Sequence, residues 1–263
     1  MQSFHPITQR EDTHAAVQVT VRLLPTDAIG DCDPALLSRL DAAEAIQAAK
    51  FVHAEDRKAW LGAHALLRTL LAQALPGEQA PRAWRFVAGP KGKPSLAPGQ
   101  ASRDVRFNIS HCRGMAAVAL AFGADIGVDV EALERADFDE RAIAESHFCV
   151  AEREKLARLE EAGARKREFL AVWTAKEALI KGVGEGLSMP LDAFCADLER
   201  NAYARHDGAP DAWMLARWER PGHLAALAAP RGARVDCREL RWDASAGVFV
   251  EGMSLDSIAG TRR

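Results

Sequence analysis

The sequence predicts a mixed α/β (α+β) protein of two pseudo-symmetric halves, residues 1–123 and 124–263, each a small sheet packed with helices. Three observations predict it. Apolar residues recur at helical spacing in two blocks, 34–75 and 139–183. Short β-like runs precede and follow each block. The order strand, helices, strands is therefore read twice, although no sequence identity links the halves and the symmetry rests on element order alone.

The polar residues 1–12 are expected to fray, and 17–24 alternates like a strand. Asp33 and Pro34 open a helical stretch that Pro76 and Gly77 stop, and it reads as two helices broken near 51–54. The segment 77–102 is rich in Pro and Gly and carries a turn at 89–94 beside a short strand, 84–87. Runs at 106–109, 115–122 and 126–130 read as strands. The second helical block ends in the most strongly patterned helix, 167–181, closed by Gly182, Gly184 and Gly186. Strands are expected at 194–198, 213–218, 224–228 and 235–242.

Composition bounds the function classes. With 48% apolar and 27% charged residues and a net charge of −3, the chain is long enough for a proper core and names no partner by bulk charge; no nucleic-acid footprint is present. Five scattered cysteines, Cys32, Cys112, Cys149, Cys195 and Cys237, form no CxxC pair, so neither a disulfide framework nor a structural zinc site is expected. The N-terminus lacks a signal-like apolar segment, and the longest apolar run, 115–122, is too short to span a bilayer. A cytoplasmic location without membrane attachment is expected.

The run GVDVE at 127–131 is the most informative feature. Strand alternation puts Asp129 and Glu131 on one face and Val128 and Val130 on the other. Adjacent carboxylates repel and are costly to desolvate, so they call for a divalent cation or a wet edge; a strand end facing solvent gives the same pattern. On the helix, Phe169, Trp173, Glu177 and Lys181 form one i, i+4 ridge whose aromatic start implies an inward-facing side, while Glu177 and Lys181 also suit a surface ion pair. Ser110 and His111 end a strand in a polar corner that can hold phosphate, and Lys91 and Lys93 sit in a Gly/Pro-braced turn that can do the same. The glycines of GVGEG follow a helix with the wrong spacing for a dinucleotide fingerprint, and no Walker motif occurs.

Taken in order, GKPSL at 92–96, NISH at 108–111, GVDVE and WTAKEALIKGVGEGLSMPL at 173–191 resemble the surfactin-type 4′-phosphopantetheinyl transferase family over roughly residues 51–194. The resemblance implies a pseudo-dimeric fold acting as a monomer, with the active site between the halves and magnesium on the pyrophosphate of bound coenzyme A. It further implies a holo-[acyl-carrier-protein] synthase type enzyme that moves phosphopantetheine to a serine of an acyl or peptidyl carrier protein and releases 3′,5′-ADP. By position, Asp129, Glu131 and Glu177 look like the family's acidic trio. Ser110 and His111 look like contacts to the nucleotide phosphates, and Lys93 and Lys181 like lysines near the phosphates and the reaction centre. Glu177 is also the candidate base for the carrier serine. The chain departs from the family at Glu44 and Gln47, where relatives carry lysines, leaving Lys50, Arg57 and Lys58 as nearby basic residues; Arg68 occupies another position that is often basic.

Overall fold

The computed structural model describes residues 16–134, 139–205 and 210–258; the segment expected to fray lies outside them. In chain order the elements are β1 (Gln18–Pro25), α1 (Pro34–Leu37), α2 (Ala42–Ala48), α3 (Ala54–Ala74), β2 (Phe86–Ala88), β3 (Pro94–Leu96), β4 (Val105–Cys112), β5 (Met115–Phe122) and β6 (Gly127–Ala132). There follow α4 (Glu140–His147), α5 (Val150–Ala157), α6 (Ala162–Val183), β7 (Phe194–Asp197), β8 (Ala202–Arg205), β9 (Pro210–Arg220), β10 (His223–Pro230), β11 (Arg234–Asp243) and β12 (Val248–Ser254).

Two five-stranded sheets form, in the orders β12-β11-β1-β5-β4 and β6-β10-β9-β8-β7. They stack face to face, α3 covering the outer side of the first and α6 that of the second. Strand alternation builds these layers. On β5, Met115, Ala117, Ala119 and Ala121 enter the core between the sheets, while Ala116, Val118 and Leu120 pack under α3 with Leu66 and Leu67. From the other sheet, Val128, Val130, Trp218 and Leu227 meet the first group. Each such Val or Leu contributes about 1.5–3 kcal/mol relative to exposure.

The chain leaves the first sheet after β5, at the turn around Gly123, and builds the second. It then returns: β11 pairs in parallel with β1, so the C-terminal hairpin completes the first sheet. The single helix break expected near 51–54 has a companion at 38–41, because Asp41 forms a reciprocal capping box with Glu44 and starts α2 afresh. Strands β3, β8 and β12 add to those the sequence shows; β12 is largely exposed and carries no buried alternation.

Cys149 and Cys195 form a disulfide, a correction to the expectation that the cysteines carry none. Residues 46 apart in sequence are brought together by packing of α5 on β7, which spacing alone does not show.

Candidate active site

The site is built where α6 lies on β6. Glu161 caps α6 by accepting from the amides of Gly163 and Ala164, and Gly184, at φ +80°, ends it in the left-handed conformation that glycine adopts freely. Gly127 and Gly182 let the helix approach the strand backbone to backbone. Lys176, fully buried on the far side, donates to the carbonyls of Leu191 and Phe194 and pairs with Glu152 at 2.9 Å. Glu152 in turn accepts from the amides of Cys149 and Ala196. Burial pushes the Lys176 ammonium down and the Glu152 carboxyl up from their ordinary values, and each opposes that shift in the other.

On the opposite side of α6, Lys181 Nζ donates to Asp129 Oδ1 at 2.6 Å and to Ser110 Oγ at 2.9 Å. Ser110 Oγ donates to the same Asp129 oxygen at 2.8 Å. Asp129 is 4% exposed, and its Oδ2 is buried with no hydrogen-bond partner. Glu131, two residues on and partly exposed, shares that face by strand alternation. Asn108 Oδ1 accepts from the amide of Val128 at 2.8 Å and so ties β4, in the first sheet, to β6, in the second.

Lys91, Lys93, Asn108, Glu177 and Lys181 line one cleft of about 280 Å³, to which the β2–β3 turn, β4 and α6 all contribute. Lys93 Nζ donates to the carbonyls of Gly182 and Ile126 at 2.7 and 3.3 Å and lies 3.7 Å from Asp125. Burial holds its pKa below the usual lysine value, opposed by Asp125. A second hollow of about 220 Å³ shares Lys91, Lys93 and Gly184 and extends to Arg106 and Asp125. A larger one, about 360 Å³ among α4, α5 and α6, is lined by Phe169 from the helix ridge and by none of the candidate phosphate or metal residues.

His111 follows Ser110 on β4. Burial, then the neighbouring charges of His64 and Lys181, push its pKa from 6.5 to about 4, against the pull of Asp56. Arg57 is committed elsewhere, to both oxygens of Asp31 at 2.6 and 2.8 Å and to the Phe51 carbonyl. Lys58 pairs with Glu55, and Lys50 is exposed in the turn between α2 and α3. None of these three lines the cleft with Lys93 and Lys181. Arg68 is fully buried and bonds Glu44, Asp41 and the carbonyls of Pro81 and Trp84, while Glu44 also meets His64 at 3.0 Å. Glu44 thus ties α2 to the buried Arg68 of α3. Asn108, Lys176 and Glu152 escaped sequence reasoning; a polar residue in the middle of an apolar strand or helix face was the signal available for each.

Among the described residues no three His, Cys, Asp or Glu side chains converge into a metal cage. Magnesium is commonly held by one or two carboxylates together with substrate phosphates and water. The orphaned Oδ2 of Asp129, with Glu131 on the same strand face, fits such a partial site.

Residues 125–228 match the 4′-phosphopantetheinyl transferase superfamily, and residues 34–122 match the N-terminal part of 4′-phosphopantetheinyl transferase. The 4′-phosphopantetheinyl transferase HetI of Nostoc sp. is 31% identical over 180 residues, covering 68% of this chain and 73% of that one. The Bacillus subtilis transferase ffp is 31% identical over 63% of this chain and 70% of its own. The Bacillus subtilis transferase Sfp is 28% identical over 58% and 63%. With the lysine-lined cleft, these matches define a transferase of phosphate-linked groups. The chain belongs to the surfactin-type 4′-phosphopantetheinyl transferases, whose substrates are coenzyme A and carrier proteins. No helix among the described residues is long and apolar enough to cross a membrane.

Proposed function

We propose that this chain transfers 4′-phosphopantetheine from coenzyme A to a serine of an apo acyl or peptidyl carrier protein in a magnesium-assisted, holo-[acyl-carrier-protein] synthase type reaction. The serine oxygen bonds the phosphorus that carries pantetheine, the bridging P–O bond breaks, and 3′,5′-ADP leaves with the electron pair. The observation that carries this reading is the buried, half-satisfied Asp129 beside a cleft lined by Lys91, Lys93, Glu177 and Lys181.

Asp129 and Glu131, with Glu177, would hold the cation. Magnesium bound there supplies positive charge that offsets the pyrophosphate and the departing nucleotide. Lys93 and Lys181 add fixed positive charge on the cleft wall, where partial burial makes it act more strongly than in water. Glu177 accepts the serine proton. His111, neutral at pH 7, can donate one ring N–H to a phosphate oxygen of the nucleotide.

Mass spectrometry of an apo carrier protein incubated with the enzyme, coenzyme A and magnesium tests the reading. A mass gain of one phosphopantetheine, with 3′,5′-ADP released and both lost reversibly in chelator, is expected. An unmodified carrier, or modification undiminished by chelator, would overturn the function or its metal dependence respectively.

A further inference from the structure

We propose that the Cys149–Cys195 disulfide is a redox-sensitive clasp on the seat of α6, closed in the active form and opened by low-molecular-weight thiols. The activity it governs rests on the transfer proposed above, whereas the state of the clasp is measured independently of it.

The clasp spans a joint between three elements. Cys149 is the residue from which α5 starts, and Cys195 lies on β7, 46 positions later. The Glu152 carboxylate accepts from the amide of Cys149 at 2.9 Å and from that of Ala196, the neighbour of Cys195, at 2.7 Å. Lys176 reaches the same joint from α6: it pairs with Glu152 at 2.9 Å and donates to the carbonyl of Phe194, the other neighbour of Cys195, at 2.6 Å. A buried ion pair offsets its desolvation only while its geometry is kept. Once the covalent link is cut, the start of α5 and β7 can part, and Glu152 can follow only one of its two amides.

The effect reaches the cleft through α6. Lys176 is followed at once by Glu177, which lines the cleft, and Lys181 stands little more than one turn further on, 2.6 Å from Asp129. The chain from Asp129 on β6 to Lys181 on α6 also runs through α4 and α5. The hollow of about 360 Å³ among these three helices leaves α5 room to shift. Displacing catalytic geometry by about 1 Å can cost on the order of 100-fold in rate.

Opening is thiol–disulfide exchange. Cys195 is partly exposed and Cys149 is buried, so an external thiolate reaches the Cys195 sulfur. A bond forms to that sulfur, the S–S bond breaks, and the Cys149 sulfur leaves with the electron pair at the amide end of α5, whose partial positive charge favours an anion. A second thiolate then displaces Cys195 from the mixed disulfide. Two external thiols become one disulfide, and both protein sulfurs end as thiols. Oxidised glutathione drives the reverse. The buried Cys237 thiol, pushed up to about 12 chiefly by burial, stays protonated and outside this exchange.

The test poises full-length enzyme in reduced or oxidised glutathione. Alkylation and peptide mass spectrometry read Cys149 and Cys195, hydrogen exchange reads α5 and α6, and carrier modification with coenzyme A and magnesium reads activity. Folded Cys149→Ala with Cys195→Ala serves as a permanently open form, and the comparison of wild type with itself needs no variant. Reduction is expected to lower the initial rate about 10-fold or more, reversibly and in step with alkylation of the two cysteines, while the α5 amides exchange faster. The double variant should be slow in both buffers. Equal rates for oxidised and reduced wild type, or a redox response retained by the double variant, would overturn the proposal. So would free thiols at both positions in the oxidised buffer. Absence of transfer in both states is a different result: it removes the transferase reading, and the regulation with it, while alkylation and exchange still show whether the clasp opens.

Discussion

Gly127 on β6 and Gly182 on α6 touch backbone to backbone. A methyl group on Gly127 would overlap the Gly182 amide and the Ala178 carbonyl oxygen and stand 2.8 Å from the Gly182 Cα. This approach sets the height of α6 over the strand, and with it the 2.6 Å contact between Lys181 and Asp129. The site's geometry is therefore a consequence of two missing side chains.

Gly127→Ala is expected to destabilise the fold by about 1–3 kcal/mol or more, because both neighbours are backbone and cannot rotate away. Activity should fall further than stability accounts for, since Lys181 moves off Asp129. Urea unfolding and steady-state kinetics on one protein check this. A variant with wild-type stability and turnover would show that the helix does not rest on the strand as described.

Much of this arrangement was legible in the sequence. GVDVE reads as a strand with its acids on one face, and Val128 and Val130 do enter the inter-sheet core while Asp129 meets α6. The helix ridge from Phe169 to Lys181 was legible because its aromatic start is buried and its charged end reaches the cleft. The parallel pairing of β11 with β1 was not, because non-local pairing leaves no local pattern. Nor was the use of Glu44: its charge reads as surface, yet it sits against the buried Arg68, and only tertiary packing shows that. The Cys149–Cys195 bond was hidden for the same reason.

Asp129→Ala should abolish carrier modification while leaving the fold nearly intact. The Lys181 side chain is 30% exposed and can hydrate once its partner is gone. Loss of turnover with a melting temperature close to wild type is the expected pair of results. Full activity in this variant would remove Asp129 from the reaction.

Glu177→Gln keeps the shape of the side chain and removes its charge and its capacity to take a proton at neutral pH. We expect kcat to fall by at least about 100-fold. A residue that merely decorates the helix surface would instead change stability by about 0.5 kcal/mol and leave kcat alone. Kinetics and a melting curve separate the two.

Lys176→Met strands the Glu152 carboxylate in a site whose burial already pushes its pKa up. Breaking such a buried pair from one side typically costs about 3–5 kcal/mol. The double variant Lys176→Met with Glu152→Gln should recover part of that loss, since no unpaired charge is left inside. Urea unfolding with the disulfide intact and reduced checks both; equal stability of the single variant and wild type would contradict a structural role for the pair.

His111 offers a prediction in pH and one in substrate choice. Its pKa in the fold is lowered from 6.5 to about 4, first by burial and then by His64 and Lys181. Below about pH 6.5 the unfolded chain takes up a proton that the folded chain refuses, so the unfolded state binds more protons and stability falls as pH is lowered towards 4. Above that window the contribution is constant. His111→Asn should flatten this part of the stability–pH curve, which urea midpoints from pH 7 to pH 4 would show. The substrate prediction follows from the neutral imidazole. A hydrogen bond to a charged phosphate contributes about 1.5–3 kcal/mol, so wild type should prefer coenzyme A over 3′-dephospho-coenzyme A by roughly 10- to 100-fold in kcat/KM. In His111→Asn the two substrates should become nearly equivalent, because removing the phosphate matters only once if the residue is its partner. A histidine that serves packing alone predicts the opposite pattern, with activity lowered towards both substrates and their ratio preserved. Arg57 is occupied by Asp31 and Lys58 by Glu55. An unchanged ratio in folded His111→Asn would therefore shift recognition of the 3′-phosphate to Lys93 or the exposed Lys50, and alanine variants of those two would then decide between them.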